Sequence, residues 1–316
     1  MKRRTMIIAG LLAAAMAGEA VAQTVGLGST TRGGTSQIGR SIAAVISEHS
    51  GMQMRPQELA NTADYMPLVN AGELEFGISN VVQLYYAFNG TGMSEGRPNK
   101  DLRLAAVLMP FRAGFIVPKD SPVQSVADLR GKNVPVFKKG ALGDHVVRAY
   151  LANAGMTVDD VKGVPVPNFP RMWDSFKQGS TDVTVVVVGS GQNRELDKTL
   201  GGVRFLSFDP AADKLAAMQE WLPQMYLLPV EPSPKIPGVM ATTNVMTYDY
   251  TFFANKDVPD EVVYEAVKTL YEQEAPLKAS GPFWTGFTPG RMANDVNVPF
   301  HEGAMKFYKD AGIWKR

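Results

Sequence analysis

Gly28-Ser29-Thr30-Thr31-Arg32-Gly33-Gly34-Thr35-Ser36 joins two segments of opposite character. Thr24–Ser29 before it reads as a strand. Ser36–Ser50 after it reads as a helix, with Ile38, Ile42, Val45 and Ile46 on one face and Gly51 as its stop. Glycines let backbone approach a ligand closely. A helix start offers N–H groups without intrahelical partners and a partial positive charge, which together attract anions. Thr35 and Ser36 add hydroxyl donors and could cap the helix. A strand, a glycine loop and an amphipathic helix in that order open an α/β unit with an anion-binding corner. The loop does not fit a nucleotide. Its spacing is not G-x-G-x-x-G, and no G-K-[ST] follows. Glu48, 20 residues beyond Gly28, falls inside the helix rather than at a second strand end.

Outward from this loop the alternation continues. Met52–Glu58, Phe76–Ser79, Leu102–Leu108 and Phe115–Val117 read as strands, with helices over Tyr65–Ala71 and Val81–Phe88. Asn133–Phe137, Val164–Val166, the β-branched run Val183–Val188 and Val203–Ser207 are further strands. Helices are expected at Asp144–Ala154, Pro170–Gln178 and Gln192–Thr199. A Pro-rich connection, Pro223–Pro237, leads to one or two strands over Val239–Phe253 and a helix over Glu261–Glu272. The alternation predicts an α/β fold of mainly parallel sheet flanked by helices. We divide it into residues 23–115 with 241–316 as one lobe and 116–240 as the other. The chain then crosses twice, near Arg112–Phe115 and Val239–Asn244, forming a hinge. The second lobe repeats the strand–loop–helix corner at Phe137-Lys138-Lys139-Gly140-Ala141-Leu142-Gly143-Asp144. Two such corners facing each other would enclose a ligand beyond the strand ends.

Lys2, Arg3 and Arg4, the apolar run Met6–Ala17, and Ala20-Val21-Ala22 have the layout of a secretory signal peptide cleaved after Ala22. That places the product in the periplasm. Removing residues 1–22 changes the formal net charge from +1 to −1, because Lys2, Arg3, Arg4 and Glu19 leave with them. A near-neutral chain with mixed charges offers no footprint for nucleic acid and no polybasic run for anionic lipid. With no cysteine there are no disulfides, thiolate ligands or thiol nucleophiles.

The order of three segments resembles the TAXI branch of TRAP-transporter solute-binding proteins. They are Gly33-Gly34-Thr35-Ser36, Asn61-Thr62-Ala63-Asp64-Tyr65 and Ala71-Gly72-Glu73-Leu74-Glu75-Phe76-Gly77-Ile78-Ser79-Asn80. Ser125–Val134, Gly155–Val161 and Val258–Tyr264 are similar to type II periplasmic binding proteins more broadly. The resemblance implies a two-lobed clamshell that captures a small carboxylate, glutamate-like, dicarboxylate or another organic acid. It would pass this anionic solute to the membrane subunits of an ion-driven transporter. It also implies a pocket from Gly34, Thr35, Ser36, Asn61, Ser79 and Asn80 in the first lobe. Gly140, Ala141, Asp144, Gly189 and Ser190 would come from the second. The chain departs from the family at Ser36-Gln37, where aromatics often stand, and at Ala141-Leu142 and Asp144, where small hydroxyl residues are common. Asp144 would repel a second ligand carboxylate or bind a ligand ammonium.

Arg171 joins the candidate ligand residues as a carboxylate clamp, with Arg32 and Arg112 as other arginines able to form one. Phe169 and Trp173 beside Arg171 either line a pocket wall or pack in the lobe core. His49, His145 and His301 lack metal-ligand spacing, and Gly189-Ser190-Gly191 lacks the spacing of a nucleophile elbow. The reading is therefore a monomeric binding protein without cofactor or metal. A binding protein of an ABC importer or sensory system, or an exported enzyme on the same fold, are its alternatives.

Overall fold

The computed structural model describes residues 23–315. The signal-peptide assignment at residues 1–22 lies outside them. The chain begins β1 (Gln23–Thr30), α1 (Gly33–His49), β2 (Met52–Leu59), α2 (Thr62–Asn70), β3 (Phe76–Asn80) and α3 (Val81–Asn89). The glycine loop is thus shorter than expected. Arg32 is the last extended residue, and Gly33 to Thr35 already form the first turn of α1.

A 17-residue strand follows, β4 (Leu102–Pro118). The sequence predicts two strands here, split near Pro110. The strand runs through because Pro110 stands beside a register shift against its neighbour, between Asp249 and Thr251. A bulge is where a strand tolerates a residue with no N–H to give. Next come β5 (Asn133–Val136), α4 (Leu142–Ala152), β6 (Lys162–Pro165), α5 (Phe169–Lys177), β7 (Thr184–Val187), α6 (Gly191–Thr199), β8 (Val203–Phe205) and α7 (Ala212–Gln219). The expected Pro-rich connection contains a strand, β9 (Tyr226–Val230). It leads into a second long strand, β10 (Thr243–Asn255), then α8 (Asp260–Glu272), α9 (Glu274–Ala279) and α10 (Glu302–Asp310).

The main sheet runs β2-β1-β3-β10-β4-β7, with β8 on β4 and β9 on β10. It is mixed rather than mainly parallel. β1 pairs parallel with β2 and β3, and β5 with β6, but β10 is antiparallel to β3, β4 and β9. The antiparallel pairs arise because β10 returns along β4, so a strand of opposite direction is inserted beside β3. The β5–β6 pair is tied to the segment before β7 by Asn133 and Asp182, whose backbone and side chain exchange bonds of 2.8 Å.

Close packing fixes the first unit. A Cβ on Gly28 would stand 2.6 Å from the Tyr65 ring, so Tyr65 on α2 lies flat on β1. Its buried hydroxyl donates to the Ile78 carbonyl on β3. Leu27, Ile38, Ile42, Ile46, Phe76 and Ile78 are fully buried around it. Each such side chain contributes roughly 1.5–3 kcal/mol.

His301 caps α10. Its Nδ1 accepts from the Gly303 N–H at 3.2 Å, and the ring is buried. Burial holds the imidazole below its ordinary value, against the opposing pull of Asp260 at 3.6 Å. The folded state therefore takes up the His301 proton at lower pH than the unfolded state. Stability is full above the unfolded value of about 6.5 and falls as pH drops below it. Melting temperature measured from pH 7.5 to 5 should decline below about 6.5. His301→Asn, which keeps a cap acceptor, should flatten part of that slope.

Candidate functional site

The start of α1 meets the middle of both long strands. Thr35 Oγ1 is 2.8 Å from the Tyr250 hydroxyl of β10, and Ser29 Oγ donates to the Thr35 carbonyl at 3.2 Å. Gly34 has no side chain for a reason. A Cβ there would stand 3.1 Å from the Phe111 ring of β4 and 3.5 Å from that of Phe283. Phe111 is stacked with Tyr248 at 5.6 Å and with Phe283 at 5.6 Å, their planes tilted by only 2° and 19°. Tyr250 meets Phe111 at 5.0 Å. Tyr248 and Tyr250 share a face because side chains alternate along a strand. Burial pushes the Tyr250 phenol up to about 12, so it is a neutral hydroxyl. These four aromatic residues were not among the sequence candidates. The alternation Tyr248-Asp249-Tyr250 is the signal that could have found the two tyrosines.

The starts of α2, α3 and α6 are capped by the chain itself, and that of α4 carries an acid in its first turn. Asn61 and Asp64 form a reciprocal cap on α2. Asn80 caps α3 by accepting from the Gln83 N–H at 2.9 Å, and its amide donates to the Gln83 side chain. Ser79 is buried and bonds the Asn80 carbonyl. At α4, the Gly140 N–H donates to Asp144 Oδ2 at 2.9 Å, while Arg148 Nε donates to Asp144 Oδ1 at 2.7 Å. The Asp144 carboxylate is thereby held on both oxygens. Ala141 is the residue before the helix and brings no side-chain acceptor. At α6, the Gly189 N–H donates to Asn193 Oδ1 and Ser190 Oγ accepts from the Asn193 N–H. At α1 no side chain caps the helix and no acidic residue sits in its first turn. The expected capping by Thr35 and Ser36 does not occur. Thr35 turns to Tyr250 instead.

Arg171 is 70% exposed and faces Asp174 at 3.4 Å. Trp173 donates to the Val185 carbonyl, and Phe169 packs between Phe137 and Trp173. His145 sits against the Trp221 carbonyl at 3.1 Å. Arg32 is exposed beside α1, and Arg112 lies half-buried on β4. Among the described residues no group of His, Asp and Glu is placed to hold a metal ion.

The strand crossing carries one ion pair. Arg291 Nη2 reaches both Asp249 oxygens at 2.8 and 2.9 Å and the Tyr226 hydroxyl at 3.2 Å, and Tyr226 donates to Asp249 at 2.9 Å. Burial is the largest single influence and works against the guanidinium charge, but Asp249 and Tyr226 together outweigh it, so Arg291 is held above its ordinary value. The triad binds β9, β10 and the segment after α9 where β10 passes Pro110.

The sequence model of the NMT1-like family matches residues 27–312. The chain belongs to the NMT1-like family. Among solved structures this NMT1-like chain is similar to MatC from Rhodopseudomonas palustris with bound malate. There the TM-score is 0.59 at 14% identity, covering 85% of this chain and 90% of that one. It is similar to a TctC solute-binding protein from Polaromonas, at a TM-score of 0.54 and 14% identity, covering 82% and 87%. A putative sulfonate-binding protein of an ABC transporter from Methylobacillus flagellatus KT gives a TM-score of 0.50 at 14% identity, covering 93% and 88%. The NMT1-like chain has the α/β two-domain fold of periplasmic solute-binding proteins, with a mixed sheet and flanking helices. No helix among the described residues is long and apolar enough to cross a membrane.

Removing Arg291 while leaving Asp249 strands a carboxylate that is 11% exposed. Arg291→Met should cost about 1–3 kcal/mol by urea unfolding, at the low side of a fully buried pair because Arg291 is partly exposed. Adding Asp249→Asn should recover part of that loss. A Tyr250→Phe change should cost about 1 kcal/mol through its bond to Thr35.

Proposed function

We propose that this chain is a periplasmic solute-binding protein of the TAXI type, which captures a small organic anion and delivers it to the membrane subunits of a TRAP transporter. The observation that carries the reading is the start of α1. Of the helix starts named as ligand sites, those of α2, α3 and α6 are capped by side chains and that of α4 carries Asp144 in its first turn, whereas the start of α1 has neither a side-chain cap nor an acid there. It also abuts the two strands that join the halves of the molecule. Helix N–H groups with a partial positive charge, next to the Thr35 and Tyr250 hydroxyls, favour a carboxylate or similar oxyanion. Related folds whose descriptions name malate and sulfonate support an anionic solute.

Residues 23–115 with 241–316 form one lobe in this reading and 116–240 the other, with β4 and β10 as the hinge. Gly34, Thr35 and Ser36 hold the anion. Ser79 and Asn80 shape the floor through β10, to which β3 is paired. Gly140 and Ser190 bring the opposite lobe to the solute as it closes. A solute drives closure only through tighter binding to the closed state, and the closed surface is what the transporter recognises. The chain is exported by its N-terminal segment, acts as a monomer, and turns over no substrate.

Thermal unfolding of residues 23–316 against carboxylates, sulfonates and neutral solutes tests this. A ligand at about 1,000 times its dissociation constant adds roughly 4 kcal/mol, which for this size raises the midpoint by on the order of 10 °C. One class of organic anion should do so, and solution scattering should show a smaller radius of gyration with it. Anions that leave both unchanged, or a neutral solute as the sole binder, would overturn the proposal.

A further inference from the structure

We infer that Tyr86 and Trp221 form a latch between the two lobes, which holds them at one angle and must part before they move. It rests on the two-lobe binding-protein reading above and names a device that regulates its cleft.

The latch joins elements that lie off the two long strands. Tyr86, on α3, belongs in that reading to the lobe of residues 23–115 and 241–316. Its hydroxyl donates to the Trp221 carbonyl at 3.0 Å, and its ring meets that of His145 at 5.4 Å. Trp221 follows α7, and His145 lies near the start of α4. Both belong to the lobe of residues 116–240. Other bonds cross the same division, among them Tyr226 to Asp249 and Asn244 to Phe208, but they are made on β10 itself. A bond made on a hinge strand persists while the lobes swing about it. One made between a helix of one lobe and a turn of the other does not.

Each side of the latch is held within its own lobe. Gly92, just past α3, lies so close to the Tyr86 ring that a Cβ there would clash with it. That loop fixes the ring on α3. Burial pushes the Tyr86 phenol up to about 12, so the hydroxyl keeps the proton it donates. On the other side, His145 Nδ1 stands 3.1 Å from the Trp221 carbonyl. A carbonyl only accepts, so Nδ1 carries the hydrogen. Arg148 lies over the Trp221 ring, 5.0 Å from its centre. α4 thus holds the Trp221 turn by its backbone and by its ring. The carbonyl oxygen has two lone pairs. One is taken by His145 of its own lobe and the other by Tyr86 of the facing lobe. Only the second bond and the Tyr86–His145 ring contact break when the latch parts.

The same contacts reach the second ligand loop. Arg148 Nε donates to Asp144 Oδ1 at 2.7 Å, and Asp144 Oδ2 accepts the Gly140 N–H at 2.9 Å. Gly140 stands in the loop that the binding reading brings to the solute. Movement of this loop moves Arg148 and the ring beneath it, which couples the cleft to the latch.

The chain has no cysteine, so spin labels go only where cysteines are introduced. Glu95→Cys and Asp213→Cys are exposed positions, one in each lobe and both outside the latch. Pulsed electron paramagnetic resonance on residues 23–316 would measure the distance between them without added solute. With Tyr86 in place, a single narrow distance should dominate. Tyr86→Phe removes the hydroxyl alone and should raise the population at other distances by roughly fivefold, the scale set by one hydrogen bond. Tyr86→Leu removes the ring contact as well and should raise it further. If Tyr86 only stabilises α3, both variants lower the melting temperature and leave the distances unchanged, which overturns the latch. A broad distribution already present with Tyr86, and unchanged in both variants, overturns it too. Binding of organic anions is read separately, by the thermal and scattering tests above, so the latch falls alone in either case.

Discussion

β4 and β10 lie antiparallel along most of their length, from Leu102 opposite Asn255 to Ala113 opposite Met246. Nearly every side chain on both is buried. The rest of the main sheet attaches to this ribbon. β3 and, through it, β1 and β2 join β10 toward its end, while β7, β8 and β9 join the other ends of the two strands. One continuous ladder therefore runs through the main sheet. A ladder resists stretching and shear because each step carries hydrogen bonds. It bends and twists more readily at a bulge, where pairing is locally broken. The register shift near Asp249 and Pro110 supplies that weak point. The Asp249–Arg291–Tyr226 triad fastens three segments beside it.

That arrangement explains where the aromatic residues stand. Phe111, Tyr248 and Tyr250 occupy the ribbon at the level of the bulge, in the middle of the main sheet. The α1 start reaches the same level because β1 ends at Thr30, two strands away from the ribbon, and the helix turns back across it. A helix start held there by Thr35 and Tyr250 is fixed relative to the two long strands.

The large features were legible in the sequence for a simple reason. Periodicity reports burial, and burial decides most strands and helices. Ile38, Ile42, Val45 and Ile46 marked α1, and the β-branched run before Gly189 marked β7. What was missed depends on partners distant in the chain. Pro110 reads as a break until β10 is known to lie opposite it with a bulge. The Pro-rich stretch after Pro223 hides β9, whose pairing with Thr243–Thr247 cannot be read locally. Asp144 was recognised as a departure from the resembled pattern, but Arg148 one turn on was not weighed as its partner. An i, i+4 spacing of acid and base on a helix was the available clue.

The helix starts show a division of labour that follows from what capping does. A side chain that accepts a first-turn N–H contributes about 1 kcal/mol and keeps that donor from anything else. The starts of α2, α3 and α6 make that trade through Asn61, Asn80 and Ser190. The start of α1 forgoes it. Its stability comes instead from a 17-residue length and a buried face, which includes Ile38, Ile42, Val45 and Ile46. A helix anchored that firmly along its side does not need its first turn satisfied by the chain. The glycines that make this turn poor at self-capping also let rings of two distant segments close around it. The same choice of residues thus leaves the helix start without a side-chain cap and sets an aromatic wall against it.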